Sequence, residues 1–209
     1  MSMKPNEREY RDFTLAVIET KEEEQGSMVV RGYASTFNEP YTLYEDDEVV
    51  IREQVSPNAF EQADMSDIIM QFDHRGKVFA RISNGTLKVA PDEHGLAIEA
   101  NLGGTEIGRE LYEEIKGGYI TKMSYGYTVK DAEWEQRKQE DGRTLETRTI
   151  TQVGKVYDVS AVSLPANDGT SISVRNLSDG VIEQIKAERL KALELERRKL
   201  LTKMRLGGI

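Results

Sequence analysis

Cysteine is absent from this chain of 209 residues, which rules out a disulfide framework, a thiolate zinc site and a cysteine nucleophile. A reducing compartment accords with that. Histidine occurs twice, at His74 and His94, so any chemistry that needs an imidazole uses one of two positions. No segment approaches the roughly 18 consecutive apolar residues of a membrane span. The polar stretch Met1 to Tyr10 lacks the apolar core of a secretory signal. A soluble, cytoplasmic protein without membrane contact is therefore expected. Basic residues are outnumbered, 28 Lys and Arg against 37 Asp and Glu for a formal net charge of −9. Nucleic acid is not an expected partner, because phosphate-tracking affinity comes from clustered basic side chains.

What the chain does have is strand-forming sequence. From Phe13 to Val89, short β-branched and aromatic runs alternate with turn formers, as in Met28 to Phe37, Glu48 to Arg52 and Asp67 to Phe72. These predict strands. Between them, Ser56-Pro57-Asn58-Ala59-Phe60 predicts a short helix with Ser as cap and Pro at the first helical position. Val78 to Val89 and Gly95 to Asn101 predict further strands around a turn that holds His94. Thr105 to Lys116 predicts the clearest internal helix, with Ile107, Leu111 and Ile115 on one face and Gly117-Gly118 as its stop. It leads into a strand where Met123, Tyr125, Tyr127 and Val129 alternate with Ser124, Gly126 and Thr128. Asp131 to Thr151, with its Asp141-Gly142 turn, predicts a solvent-facing hairpin. Val156 to Leu164 predicts one more strand, ended by Pro165. From Ser178 to Leu206 Glu, Lys, Arg and Leu dominate, which predicts a long helix, either docked on its own domain or serving as a partner-binding or removable tail. The expected division is an N-terminal segment (1–25), a main domain (26–176) and a charged C-terminal helix or tail (177–209).

Ser124 is the best candidate nucleophile, a small polar residue in an aromatic-rich strand. A serine hydroxyl is a weak nucleophile until a base takes its proton, and a neutral histidine is the usual choice. His74, in Gln71-Phe72-Asp73-His74-Arg75-Gly76, is the preferred base. Asp158 interrupts the apolar run from Val156 to Val162, and a carboxylate in a buried strand needs a partner. That partner is either a structural Arg or Lys, or a histidine whose reactive tautomer it holds. Asp73 beside His74, and His94 beside Asp92 and Glu93, are the places where a metal reading would start. Neither has His-Glu-x-x-His or comparable spacing, so no metal is expected. Gly103-Gly104-Thr105 lacks the Gly-Lys-Ser/Thr of a P-loop and reads as a helix entry, so no nucleotide cofactor is expected either.

The order of these pieces resembles the prohead maturation protease family of tailed bacteriophages over Met28 to Arg175. The resemblance rests on Arg31-Gly32-Tyr33-Ala34-Ser35-Thr36-Phe37, Ser56-Pro57-Asn58-Ala59-Phe60, Phe72-Asp73-His74 and Gly118 to Tyr127. It continues through Asp158-Val159-Ser160-Ala161-Val162, Pro165-Ala166 and Ser173-Val174-Arg175. The family is similar in turn to herpesvirus assemblins. That likeness implies an α+β, mainly β fold: a small assemblin-like β-barrel flanked by helices, with the long C-terminal helix appended.

The resemblance further implies Ser124 as nucleophile, His74 as base and an acid just before the Val-Ser motif, which here is Asp158. The family often has Glu at that place and assemblins have histidine. Other departures are Asn58, where the family commonly has glycine, and a missing glycine near Ala80. The loop Leu164-Pro165-Ala166-Asn167 lacks the arginine that assemblins use beside the oxyanion, so the backbone N–H groups of Ala166 and Asn167 are the expected donors. The implied activity is a serine endopeptidase that cuts the scaffolding region of a phage major capsid protein, and itself, inside the assembling procapsid in the host cytoplasm. A homodimer is expected by analogy. The rival is a non-catalytic assembly module that keeps the protease fold and binds capsid protein through its helix.

Overall fold

The structure, a computed structural model, describes residues 8–13, 19–23 and 27–163, together with separate positions between 187 and 202. In chain order the strands are β1 (Glu9–Phe13), β2 (Glu19–Glu23), β3 (Ser27–Thr36), β4 (Tyr41–Glu45), β5 (Val49–Val55), β6 (Ile69–Phe72) and β7 (Arg75–Arg81). After a 3-10 turn at Ile82–Asn84 come β8 (Leu87–Pro91), β9 (Gly95–Asn101), the helix α1 (Glu106–Lys116), β10 (Lys122–Lys138) and β11 (Thr144–Val162).

The strands form two sheets. Seven strands make the larger, in the order β1-β10-β11-β5-β4, with β6 paired to β11 and β7 to β6. The smaller has the order β2-β3-β9-β8. The expected α+β, mainly β class agrees with this, but the expected closed barrel does not. Closure requires the end strands of one sheet to pair, and among the described residues no ladder joins β4 or β8 to complete a ring. The two sheets instead enclose a shared core in which Val30, Leu96 and Ile98 of the smaller meet Met70, Tyr125, Val156 and Val159 of the larger.

The helix α1 plugs this core with Leu111, Tyr112 and Ile115. Its start is fixed as its sequence predicts: Thr105 Oγ1 accepts from the Gly108 N–H at 3.1 Å, a side-chain cap. Its end is Gly117, followed by Gly118 at φ 73°, a backbone conformation that glycine adopts freely.

Two other expectations need correction. Residues 57–62 form successive turns rather than a helix, with i to i+3 bonds from Ala59 to Ser56, Glu61 to Asn58 and Ala63 to Phe60. The turns drive Ala59 and Phe60 fully into the core, and no apolar repeat follows to extend a helix. The 131–151 hairpin exists, with Lys138 opposite Thr144, yet it is not wholly solvent-facing. Thr144 to Ile150 pair in parallel with Val49 to Val55, and Glu146, Arg148 and Ile150 are buried. Of the long C-terminal helix, positions 187, 190, 191, 194, 195, 197, 198, 201 and 202 are helical, and Leu190, Leu195 and Leu201 are exposed. The rest of that expectation lies outside the described residues.

Candidate active site

The long strand β11 organises the site because it separates β10 from β6. On one side Ser124 lies opposite Ser160 and Gly126 opposite Asp158. Side chains of directly opposed residues project to the same face of a sheet, and those two apart along a strand share a face. Ser124, Asp158 and Ser160 therefore stand together, and Gly126 adds no side chain to crowd them. The opposite face sends Met123, Tyr125, Val159 and Ala161 into the core.

On the other side of β11, β6 runs parallel, with Asp158 opposite Ile69 and Ala161 opposite Phe72. The chain then reverses through Asp73 and His74 into β7, with Phe72 paired to Arg75. Both turn residues have positive φ, 47° and 55°, as a two-residue loop of type I′ requires. Aspartate tolerates that region better than most residues. The tip is tied down by three bonds to the end of β11: Asp73 N–H donates to the Ala161 carbonyl at 3.0 Å, and the Asp73 carboxylate accepts from Ser163 N–H and Ser163 Oγ, each at 2.8 Å.

From this tip His74 reaches back over β11. Its Nε2 is 2.5 Å from Ser124 Oγ, and its Nδ1 is 2.5 Å from Asp158 Oδ1. The three side chains expected from sequence thus meet in one hydrogen-bonded line, from carboxylate through imidazole to hydroxyl. Ser124 is fully buried and Asp158 is 1% exposed, whereas the His74 side chain keeps 15% of its surface. Low-dielectric surroundings strengthen each of these polar contacts.

Asp158 has more partners than His74. Its Oδ1 also accepts from Ser160 Oγ at 2.9 Å, and its Oδ2 lies 3.9 Å from the Arg8 guanidinium. Arg8 in turn sits 3.8 Å from the centroid of the Tyr157 ring. A histidine and an arginine thus both accompany the acid, so the two sequence alternatives for its partner coexist. In the sequence Ser160 stands only as part of a motif, and Asp73 only as part of a motif and as the start of a metal reading. The available signals were a Ser two residues from the acid on one strand face and an Asp able to take positive φ at a hairpin tip. Nothing local in the sequence marks Arg8.

His94 is not brought to the site. It occupies the exposed turn between β8 and β9 in the smaller sheet, where Asp92 Oδ1 accepts from the N–H groups of His94 at 2.7 Å and Gly95 at 3.0 Å. Its ring packs 5.6 Å from that of Tyr33. Asp92 and Asp73 are thus turn-stabilising acceptors, and among the described residues no three of His, Asp and Glu converge as a ligand set. The loop with Ala166 and Asn167 lies outside the described residues.

A second buried charge cluster joins β11 to β1 and β5. Arg148, fully buried, donates to Glu53 at 2.6 Å and to Glu9 at 3.0 and 3.3 Å. Tyr127 donates to Glu53 at 3.4 Å, and Tyr41 donates to the same carboxylate.

The model of the family described as caudovirus prohead serine protease matches residues 16–185. Among solved structures, the chain is similar to the capsid assembly protease of bacteriophage T4, at 11% identity and a TM-score of 0.40, over 77% of this chain and 100% of that one. No curated protein matches.

Proposed function

Because this chain belongs to the caudovirus prohead serine protease family, we propose that it is a serine endopeptidase that cuts the scaffolding region of a phage major capsid protein, and its own chain, within the assembling procapsid. The observation that carries this reading is the placement of His74 between Ser124 and Asp158, 2.5 Å from each.

In the proposed mechanism Ser124 Oγ attacks the scissile carbonyl while His74 Nε2 takes its proton. The tetrahedral intermediate collapses as His74 passes that proton to the leaving amine, breaking the C–N bond and leaving an acyl-enzyme on Ser124. Water then adds to the acyl carbonyl with His74 again as base, and the acid product leaves as Ser124 recovers its proton. Asp158 holds Nδ1–H, which fixes the tautomer and balances the imidazolium. Ser160 and Arg8 support Asp158. Backbone N–H groups of Ala166 and Asn167 are the proposed oxyanion donors.

The test is co-expression with the phage's major capsid protein. Ser124→Ala should abolish cleavage of the capsid protein while the chain retains its fold by circular dichroism. Capsid processing that continues in this variant would assign catalysis elsewhere.

A further inference from the structure

Ser124 is fully buried, and an extended substrate needs an edge of its strand to pair with. Its strand has two neighbours. β11 carries Asp158 and cannot leave without dismantling the site. β1 is the outermost strand of the sheet, and its Asp12 lies opposite Ser124, with Glu9 opposite Tyr127.

Besides its backbone ladder, charged side chains join β1 and the residue before it to the rest of the chain. Arg8 lies over Tyr157 and 3.9 Å from Asp158 Oδ2. Glu9 takes two hydrogen bonds from the buried Arg148. Without β1, β10 becomes an edge strand beside the nucleophile, and such an edge accepts an extended peptide through main-chain bonds, with side-chain pockets giving specificity.

On the premise that Ser124 is the nucleophile, we propose that the β10 edge from Met123 to Tyr127 is the docking site for the substrate's extended segment. Arg148 selects an acidic side chain three residues ahead of the residue opposite Ser124. β1 occupies this site in cis, with Glu9 in the acidic position. The guanidinium of Arg148 faces Glu53 whether or not β1 is present, but a neutral residue in place of Glu9 forfeits two charge-assisted hydrogen bonds. Only a carboxylate restores them, and such bonds are about twice as strong as neutral ones. The substrate class is an acidic peptide in β conformation that displaces β1.

The test measures binding, so it does not depend on catalysis. A fluorescein-labelled peptide with the sequence of Arg8 to Thr14 is titrated by anisotropy against full-length Ser124→Ala protein and against Glu9→Gln/Ser124→Ala, where the cis strand is loosened. The loosened protein should bind the peptide at least about tenfold more tightly than the single variant. The same peptide with Gln in place of its Glu should bind about tenfold more weakly. Should Glu9→Gln fail to fold, Arg8→Ala/Ser124→Ala carries the same comparison. No binding to a folded loosened variant, or equal binding of the Glu and Gln peptides, would overturn the proposal. Failure of the nucleophile assignment shows separately, as capsid cleavage that survives Ser124→Ala.

Discussion

Asp73 accepts hydrogen bonds from both the backbone N–H and the hydroxyl of Ser163, each at 2.8 Å, and so ties the turn that carries His74 to the last residues of β11. The turn holds two non-glycine residues at positive φ, a conformation that persists only where its surroundings enforce it. In the proposed mechanism Asp73 is a positioning residue for the imidazole. Asp73→Ala should lower kcat by about 10- to 100-fold with little change in KM, the loss expected when a reacting group is misplaced by about 1 Å. Asp73→Asn, which keeps an acceptor for Ser163 N–H, should recover part of it. A merely structural role would lower Tm and leave kcat per folded molecule unchanged.

Ser160 shares Asp158 Oδ1 with His74, donating to it at 2.9 Å from a fully buried position. Ser160→Ala removes one donor from a nearly buried carboxylate. Peptide hydrolysis should show kcat/KM reduced about tenfold, and denaturant titration a loss of about 1 to 2 kcal/mol. Ser160→Thr keeps a hydroxyl and should restore activity in part. If alanine and threonine behave alike, Ser160 does not act through its hydroxyl.

How much of this was legible in the sequence differs by element. The α1 helix was readable because its signals are local: a four-residue apolar spacing, a threonine cap and a glycine stop. The segment from Ser56 carried cap and proline signals just as local, yet burial of Ala59 and Phe60 decided its conformation. The faces of Ser124 and Asp158 follow from period-two alternation. Their meeting with His74 does not, because it depends on β6 pairing in parallel with β11, a contact between segments about 90 residues apart that no local pattern encodes. Asp73 drew notice as a metal-ligand candidate, while its bonds to Ser163 depend on the same long-range pairing. The barrel came from family resemblance alone, and the two unclosed sheets correct it.

The pH dependence of hydrolysis has a definite sign. In the proposed mechanism His74 must be neutral to accept the Ser124 proton, since an imidazolium has no lone pair to offer. Histidine ordinarily titrates near pH 6.5, so kcat/KM should fall as pH drops through the imidazole range, reaching about tenfold per unit on the acid side. A rate that stays flat down to about pH 4 would exclude a histidine base.

The open end of the β6–β7 hairpin is braced by Arg81, whose Nε lies 3.0 and 2.9 Å from the two Asp67 carboxylate oxygens. Hydrogen bonds from Arg81 hold the Asp67 carboxyl down at about 2. The folded state thus favours the ionised form, and the brace contributes fully above the ordinary carboxyl range near 4. That contribution is lost as pH falls towards about 2. Thermal melts should place wild type above Asp67→Asn at pH 7, with the gap narrowing below about pH 4 and closing near pH 2. A gap independent of pH would mean that the carboxylate charge plays no part.

The most direct test of the central claim is to locate the serine that a fluorophosphonate modifies. Trypsin cuts after Lys122 and Lys130, releasing the peptide from Met123 to Lys130, in which Ser124 is the one serine. Mass spectrometry should find the adduct on that peptide in wild type, forming about a thousandfold more slowly in His74→Ala. An adduct on another serine, or an equal rate without His74, would contradict the account.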